Sequence, residues 1–214
     1  IGYKDRLLDS SQGCLYPAGD LETFAHFLEN RFRFPKYVNP ILAGYSSGAT
    51  MAYATLAQAP AGTFKGALSL GFCPDLPWPK PMCKGSGAGL KNEPGKKDGF
   101  VYEPLPGLKD PWKVLQGDID QVCDKEVTRK FAAEIPAAEL IRLPKVGHGY
   151  SVERNYVSEY LAAYRKLAAV RSPVAPALPA SLADLPLIEV AAAAGSASDI
   201  MAVILTGDGG WAGL

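Results

Sequence analysis

Only two histidines occur in the 214 residues, so any chemistry that needs an imidazole base has two candidates. A charge excess is also missing. Lys plus Arg and Asp plus Glu each number 22, which leaves no bulk electrostatic reason to bind nucleic acid or an anionic membrane. No apolar run reaches the ~18 residues of a membrane span, so no transmembrane segment is expected. The four cysteines, Cys14, Cys73, Cys83 and Cys123, lack the close spacing of a zinc site, and neither metal nor cofactor is expected. No leader peptide is visible, and the chain opens on Ile1 rather than methionine; the expectation is a start after a removed segment.

What is present centres on Gly44-Tyr45-Ser46-Ser47-Gly48. An apolar run, Val38 to Ala43 with Asn39-Pro40 inside it, precedes the pentapeptide, and a helix-forming stretch, Ala49 to Gln58, follows. Strand, sharp turn and helix make a nucleophile elbow, in which two glycines allow the tight backbone that lifts a serine hydroxyl clear of a sheet.

A serine hydroxyl needs a base, and the base needs an orienting partner. His26 lies on an amphipathic helix predicted over Leu21 to Phe34, with Asp20 as N-cap, and reads as structural or solvated. His148 sits in a glycine-flanked loop, Leu143 to Tyr150, after an apolar strand and before a helix predicted over Val152 to Ala169. Between serine and histidine, the strand from Trp112 leads into Gly117-Asp118-Ile119-Asp120. A G-x-x-D spacing favours Asp120 as the acid, with Asp118 as the competitor that caps the turn. The order Ser46, Asp120, His148 is that of the α/β-hydrolases.

Strands are predicted at 38–44, 66–72, 112–117 and 139–143, in alternation with loops and helices. That pattern predicts an α/β-hydrolase-type, mostly parallel sheet with helices on both faces, truncated at the N-terminus. Residues 73–111, rich in Gly, Pro and Lys, interrupt the rhythm and read either as a lid that selects substrate or as a disordered surface loop. There Trp78, Met82, Phe100 and Tyr102 either line an apolar wall or pack the segment down. Four cysteines allow three complete pairings; a Cys73–Cys83 bridge would staple the proline-rich loop, and free thiols are the alternative.

Three regions follow: a domain over 1–170, a Pro/Ala-rich linker over 171–187, and over 188–214 a strand that enters Gly207-Asp-Gly-Gly210. Such a glycine loop donates one N–H to an oxyanion hole, here assigned to Gly209, with the second from Ser47. Its place after the elbow has two explanations. Residues 188–214 open a second unit of a tandem array, or their strand folds back to complete the first sheet.

Cys14-Leu-Tyr-Pro-Ala-Gly-Asp20, Gly44-Tyr-Ser-Ser-Gly-Ala-Thr50 and Ile204-Leu-Thr-Gly-Asp-Gly-Gly-Trp211 resemble segments of the bacterial VirJ/AcvB virulence proteins. The larger, AcvB-like members are similar to two hydrolase units in series, with residues 1–170 resembling the first and 188–214 the opening of the second. The resemblance implies a periplasmic α/β-hydrolase fold, an association with type IV secretion, and hydrolysis of the aminoacyl ester of lysyl-phosphatidylglycerol. It implies the serine, acid and histidine roles for Ser46, Asp120 and His148, and disulfide-bonded cysteines. The expected partners are an aminoacyl-lipid or other ester substrate and secretion-system or periplasmic proteins. The alternatives are a non-catalytic module that binds lipid or protein, and a cytosolic metabolite hydrolase.

Overall fold

A computed structural model describes residues 13–95 and 99–171. They belong to the first of two units into which the chain divides, Ile1–Val174 and Ala175–Leu214. The linker, the 188–214 segment and Gly209 lie outside the described residues.

Four parallel strands, β1 (Ile41–Tyr45), β2 (Gly66–Leu70), β6 (Trp112–Gly117) and β7 (Ala138–Leu143), form the main sheet in the order β1-β2-β6-β7. All four strands predicted from the sequence are present; the strand over 112–117 has the predicted ends, and the other three have shifted ones. Proline at position 40 delays the first strand to Ile41, since the ring cannot donate to a ladder. Side chains alternate across the sheet with period two. Leu42, Ala67, Trp112 and Val114 join the larger core cluster, with Leu140 against it. Leu68, Leu115 and Leu143 join a second cluster on the opposite face, with Ile41 and Ile141 against it.

Helices cover both faces. Helix α2 (Ser47–Gln58) packs on β1 and β2 and is buried almost all round, as its Ala-rich, charge-free sequence requires. Helix α3 (Lys125–Ala133) is amphipathic instead. The Asp124 side chain caps it through the Glu126 and Val127 N–H groups, and Phe131 enters the core beside Tyr53, Phe72 and Trp112. Helix α4 (Val157–Ala168) closes the second face with Ala163 and Leu167. It begins later than predicted, because a 3₁₀ turn (Glu153–Asn155) and the off-helix backbone of Tyr156 occupy the start of that stretch.

Helix α1 spans Pro17–Arg31, so the expected start and cap are corrected. Tyr16 is the N-cap residue, with no side-chain cap bond, and Pro17 supplies a preset φ in the first turn. Asp20 lies inside that turn rather than capping it. His26 is exposed and stacks on Tyr37 with ring centroids 3.9 Å apart, remote in role from any serine.

Residues 73–111 carry a three-stranded antiparallel sheet: β3 (Asp75–Leu76), β4 (Asn92–Pro94) and β5 (Phe100–Tyr102), in the order β3-β5-β4. Leu76, Met82, Leu90, Tyr102, Leu105 and Leu108 are buried, so this segment contributes side chains to the core and is not a loose loop along its described residues. Gln58, at the end of α2, ties it down: its side chain accepts the Ala18 N–H and donates to the Leu15 and Cys83 carbonyls. The bridges are Cys14–Cys83 and Cys73–Cys123, which corrects the Cys73–Cys83 staple. Spacing along the chain suggested a local bridge, whereas Leu15 pairs with Met82 and brings Cys14 to Cys83. Among the described residues, no helix is long and apolar enough to cross a membrane.

Candidate active site

Ser46 stands between β1 and α2 with φ 55° and ψ −124°, a left-handed conformation that a non-glycine residue holds only when its surroundings impose it. Its N–H is held by the Leu70 carbonyl at 3.0 Å, and its own carbonyl accepts the Ala49 N–H at 2.8 Å. The two glycines of the motif are not equivalent. A Cβ on Gly44 would lie 1.9 Å from the Gly48 carbonyl oxygen, so strand and helix touch backbone to backbone there. A Cβ on Gly48 would meet nothing within 4 Å.

The loop after β6 turns back on itself. Asp118 pairs with Arg142 through two hydrogen bonds of 3.0 and 2.9 Å, so this carboxylate faces away from the serine rather than capping the turn. Asp120 points the other way, with no exposed side-chain surface. Its Oδ1 accepts the Val122 and Cys123 N–H groups at 2.8 and 3.0 Å, and its Oδ2 lies 2.9 Å from His148 Nδ1. Burial works to raise the Asp120 pKa. The Cys123 N–H, His148 and the Val122 N–H outweigh it and hold the carboxyl below the ordinary carboxylate range.

On its other side, His148 Nε2 lies 2.9 Å from Ser46 Oγ. The structure therefore brings Ser46, His148 and Asp120 into one hydrogen-bonded line and leaves His26 and Asp118 out of it. With Asp120 ionised, Nδ1 carries the proton and donates, which leaves Nε2 to accept from the serine hydroxyl. Ser47 is the first residue of α2, so its N–H has no carbonyl a turn earlier in the helix to bond.

Several supporting residues carried no sequence signal. Gly71, at φ 62°, passes the imidazole so closely that a Cβ there would lie 3.3 Å from His148 Nδ1. Tyr150, at φ 46°, anchors the histidine loop by donating to the Leu115 carbonyl at 2.6 Å. Tyr45 leans over the imidazole with ring centroids 5.5 Å apart. Gln116, a buried polar residue of β6, donates to the Cys123 carbonyl at 3.1 Å.

A cleft of about 470 Å³ opens beside the serine turn between Tyr45, Tyr156, Tyr160, Leu70 and Leu161. Among the described residues, its lining carries no charged side chain and includes none of residues 73–111 and neither Ser46 nor His148. Asp120, Cys123 and His148 cluster closely enough to hold a metal. The cysteine is committed to a disulfide and both imidazole nitrogens are hydrogen-bonded, so the group does not fit one.

The depressed carboxyl has a consequence for stability. Its folded pKa lies below the unfolded value, so Asp120 stabilises the fold above that unfolded value, and the contribution is lost as pH falls through the folded one. Asp120→Asn is therefore expected to show a smaller drop in urea midpoint between pH 7 and pH 3 than the wild type. An equal drop would assign acid sensitivity to other groups.

A parallel sheet with a strained serine turn leading into a buried helix, and with acid and histidine after two later strands, is the α/β-hydrolase arrangement; the fold is of that class. No family model matches the chain, and no curated protein is significantly similar to it. Among solved structures, an esterase domain from a Rhodothermus marinus protein is similar with a TM-score of 0.45 at 16% identity, over 70% of this chain and 67% of that one. Est1E from Butyrivibrio proteoclasticus gives 0.43 at 13%, over 72% of each. MGS-MChE2, an α/β-hydrolase enzyme from the metagenome of lagoon sediments at Mar Chica, Morocco, gives 0.44 at 22%, over 70% and 69%.

Proposed function

We propose that this protein is a serine esterase. The observation that carries the reading is the pair of 2.9 Å contacts that link Ser46 Oγ to His148 Nε2 and His148 Nδ1 to Asp120 Oδ2. Ser46 Oγ attacks the ester carbonyl carbon while His148 Nε2 takes its proton. The imidazolium, oriented and stabilised by Asp120, then protonates the leaving alkoxide. Water repeats the sequence on the acyl-enzyme, with His148 again as base, and releases the acid. The Ser47 N–H donates to the developing oxyanion.

The substrate follows from two considerations. The lining of Tyr45, Leu70, Tyr156 and Tyr160 suits an uncharged, apolar portion of an ester. The resemblance to the VirJ/AcvB proteins supplies the finer proposal, the aminoacyl ester of a lipid head group such as lysyl-phosphatidylglycerol, cleaved in the periplasm in the service of virulence-linked secretion. Two disulfides support an oxidising compartment. With no carboxylate among the described residues that line the cleft, a lysyl ammonium group would lie outside it. A binding module needs no buried acid–imidazole–serine line, and this favours the catalytic reading over the non-catalytic one.

The test is a fluorophosphonate probe with peptide mapping, followed by lysine release from lysyl-phosphatidylglycerol vesicles. The expected result is one phosphonylated peptide, containing Ser46, together with lysine release. Folded chain that stays unlabelled would overturn the esterase reading. Labelling with turnover of simple acyl esters but no lysine release would overturn the aminoacyl-lipid substrate alone.

A further inference from the structure

The loop that carries Asp120 is exposed over much of its length. Ile119 and Val122 are 60% and 67% exposed, and only Asp120 and Cys123 are buried. Cys123 anchors this loop covalently to Cys73, with Cα atoms 5.1 Å apart. Cys73 is itself held, because the Thr50 hydroxyl on α2 donates to its carbonyl at 2.6 Å. One residue earlier, the Thr128 hydroxyl on α3 donates to the Phe72 carbonyl at 2.7 Å. From this anchor the Cys123 N–H reaches Asp120 Oδ1, and the Cys123 carbonyl receives Gln116. The strand extension that carries Cys73 also carries Gly71, which backs the imidazole.

The contacts close a ring: disulfide, Cys123 N–H, Asp120 carboxylate, His148 imidazole, Gly71 and back to Cys73. We infer that the Cys73–Cys123 bridge is a positioning element of the reaction centre, holding the acid against the imidazole, whereas Cys14–Cys83 serves the fold alone. Cys14–Cys83 joins Leu15 and the β3–β4 segment, away from the ring just traced. The inference rests on the esterase reading for its effect on turnover, but not for its effect on the Asp120–His148 contact.

The two bridges span 50 and 69 residues, so their removal perturbs unfolded-chain entropy almost equally, and each serves as control for the other. Cys73→Ala/Cys123→Ala and Cys14→Ala/Cys83→Ala are compared with wild type below their melting temperatures. Removal of the Cys73–Cys123 bridge is expected to lower kcat on a simple acyl ester about 10²-fold with KM little changed, as misplacement of a catalytic group by about 1 Å does. Removal of Cys14–Cys83 leaves kcat within about twofold, inside the range of substitutions remote from a site.

The His148 Nδ1 proton resonance reads the contact without turnover. It is expected in wild type and in the Cys14→Ala/Cys83→Ala variant, and is lost in Cys73→Ala/Cys123→Ala. Its persistence there, or a kcat equal to wild type, would overturn the inference. Wild type that shows the resonance but neither labels nor turns over would overturn the esterase reading instead. Cys73→Val/Cys123→Ala restores apolar volume and carries the same test if the double alanine variant does not fold.

Discussion

Ser46→Ala is expected to lower kcat for ester hydrolysis about 10⁶-fold, close to 8 kcal/mol of transition-state stabilisation at roughly 1.4 kcal/mol per decade. His148→Ala should cost nearly the same, and the double variant little more, because a nucleophile without its base and a base without its nucleophile fail at one step. Asp120→Asn is expected to cost about 10⁴-fold, since the amide no longer holds the imidazole in the tautomer that leaves Nε2 free to accept the serine proton. Asp118→Asn tests the choice between the two aspartates. It weakens an exposed pair with Arg142 and should leave kcat within about threefold, as surface ion pairs are worth at most about 1 kcal/mol. Single-turnover and steady-state assays on one acyl ester decide all five. An Asp118 variant as damaged as the Asp120 variant would overturn the assignment.

The second large effect is structural. Gly44→Ala places a Cβ 1.9 Å from the Gly48 carbonyl oxygen, with the Gly48 carbonyl carbon at 2.3 Å and the Ala49 nitrogen at 2.8 Å. None of these can rotate away, so β1 and α2 must separate. Their interface includes the buried Leu42, Ala49 and Ala52, and the expected loss is roughly 4–5 kcal/mol, at the upper end for one substitution. Gly48→Ala is the contrast: its Cβ meets open space, it replaces a glycine inside a helix, and it should be neutral or stabilising by up to about 1 kcal/mol. Urea midpoints measure both. A tolerated Gly44→Ala would mean that the elbow relaxes, and the Ser46–His148 distance should then lengthen.

How much of this was legible beforehand follows from how local each signal is. Ser46 and His148 were legible because each sits in a short glycine-marked turn after an apolar run, a pattern contained in a few residues. Asp120 was separable from Asp118 only through spacing; the reason it faces inward, two backbone N–H groups and an imidazole, belongs to the folded loop. The strands over 66–70 and 112–117 were readable because short, mostly apolar runs are what strands buried on both faces require.

What could not be read depended on contacts far apart in sequence. Cys14 meets Cys83 across 69 residues, and Gln58 joins Leu15 to Cys83 from the end of an apolar helix where a polar residue looks solvated. Whether the segment over 73–111 is a loose loop or packs down could not be read for the same reason. Its Gly and Pro content describes its turns, while its buried leucines and Met82 are spread too thinly to show a period. The pentapeptide glycines looked equivalent in sequence, and only the approach of β1 to α2 distinguishes them.

The loops that carry acid and base are also welded to each other. A Cβ on Gly117 would lie 2.1 Å from the Val146 carbonyl oxygen, and the Asp118 and Ile119 N–H groups bond to Leu143 and Val146. The roots of the Asp120 and His148 loops are therefore fixed to each other, while the Cys73–Cys123 bridge holds the far end of the Asp120 loop and Ser46 stands on the β1–α2 corner. With the acid loop held at both its root and its disulfide, variation in this centre is expected in the serine–imidazole distance before the carboxylate–imidazole one.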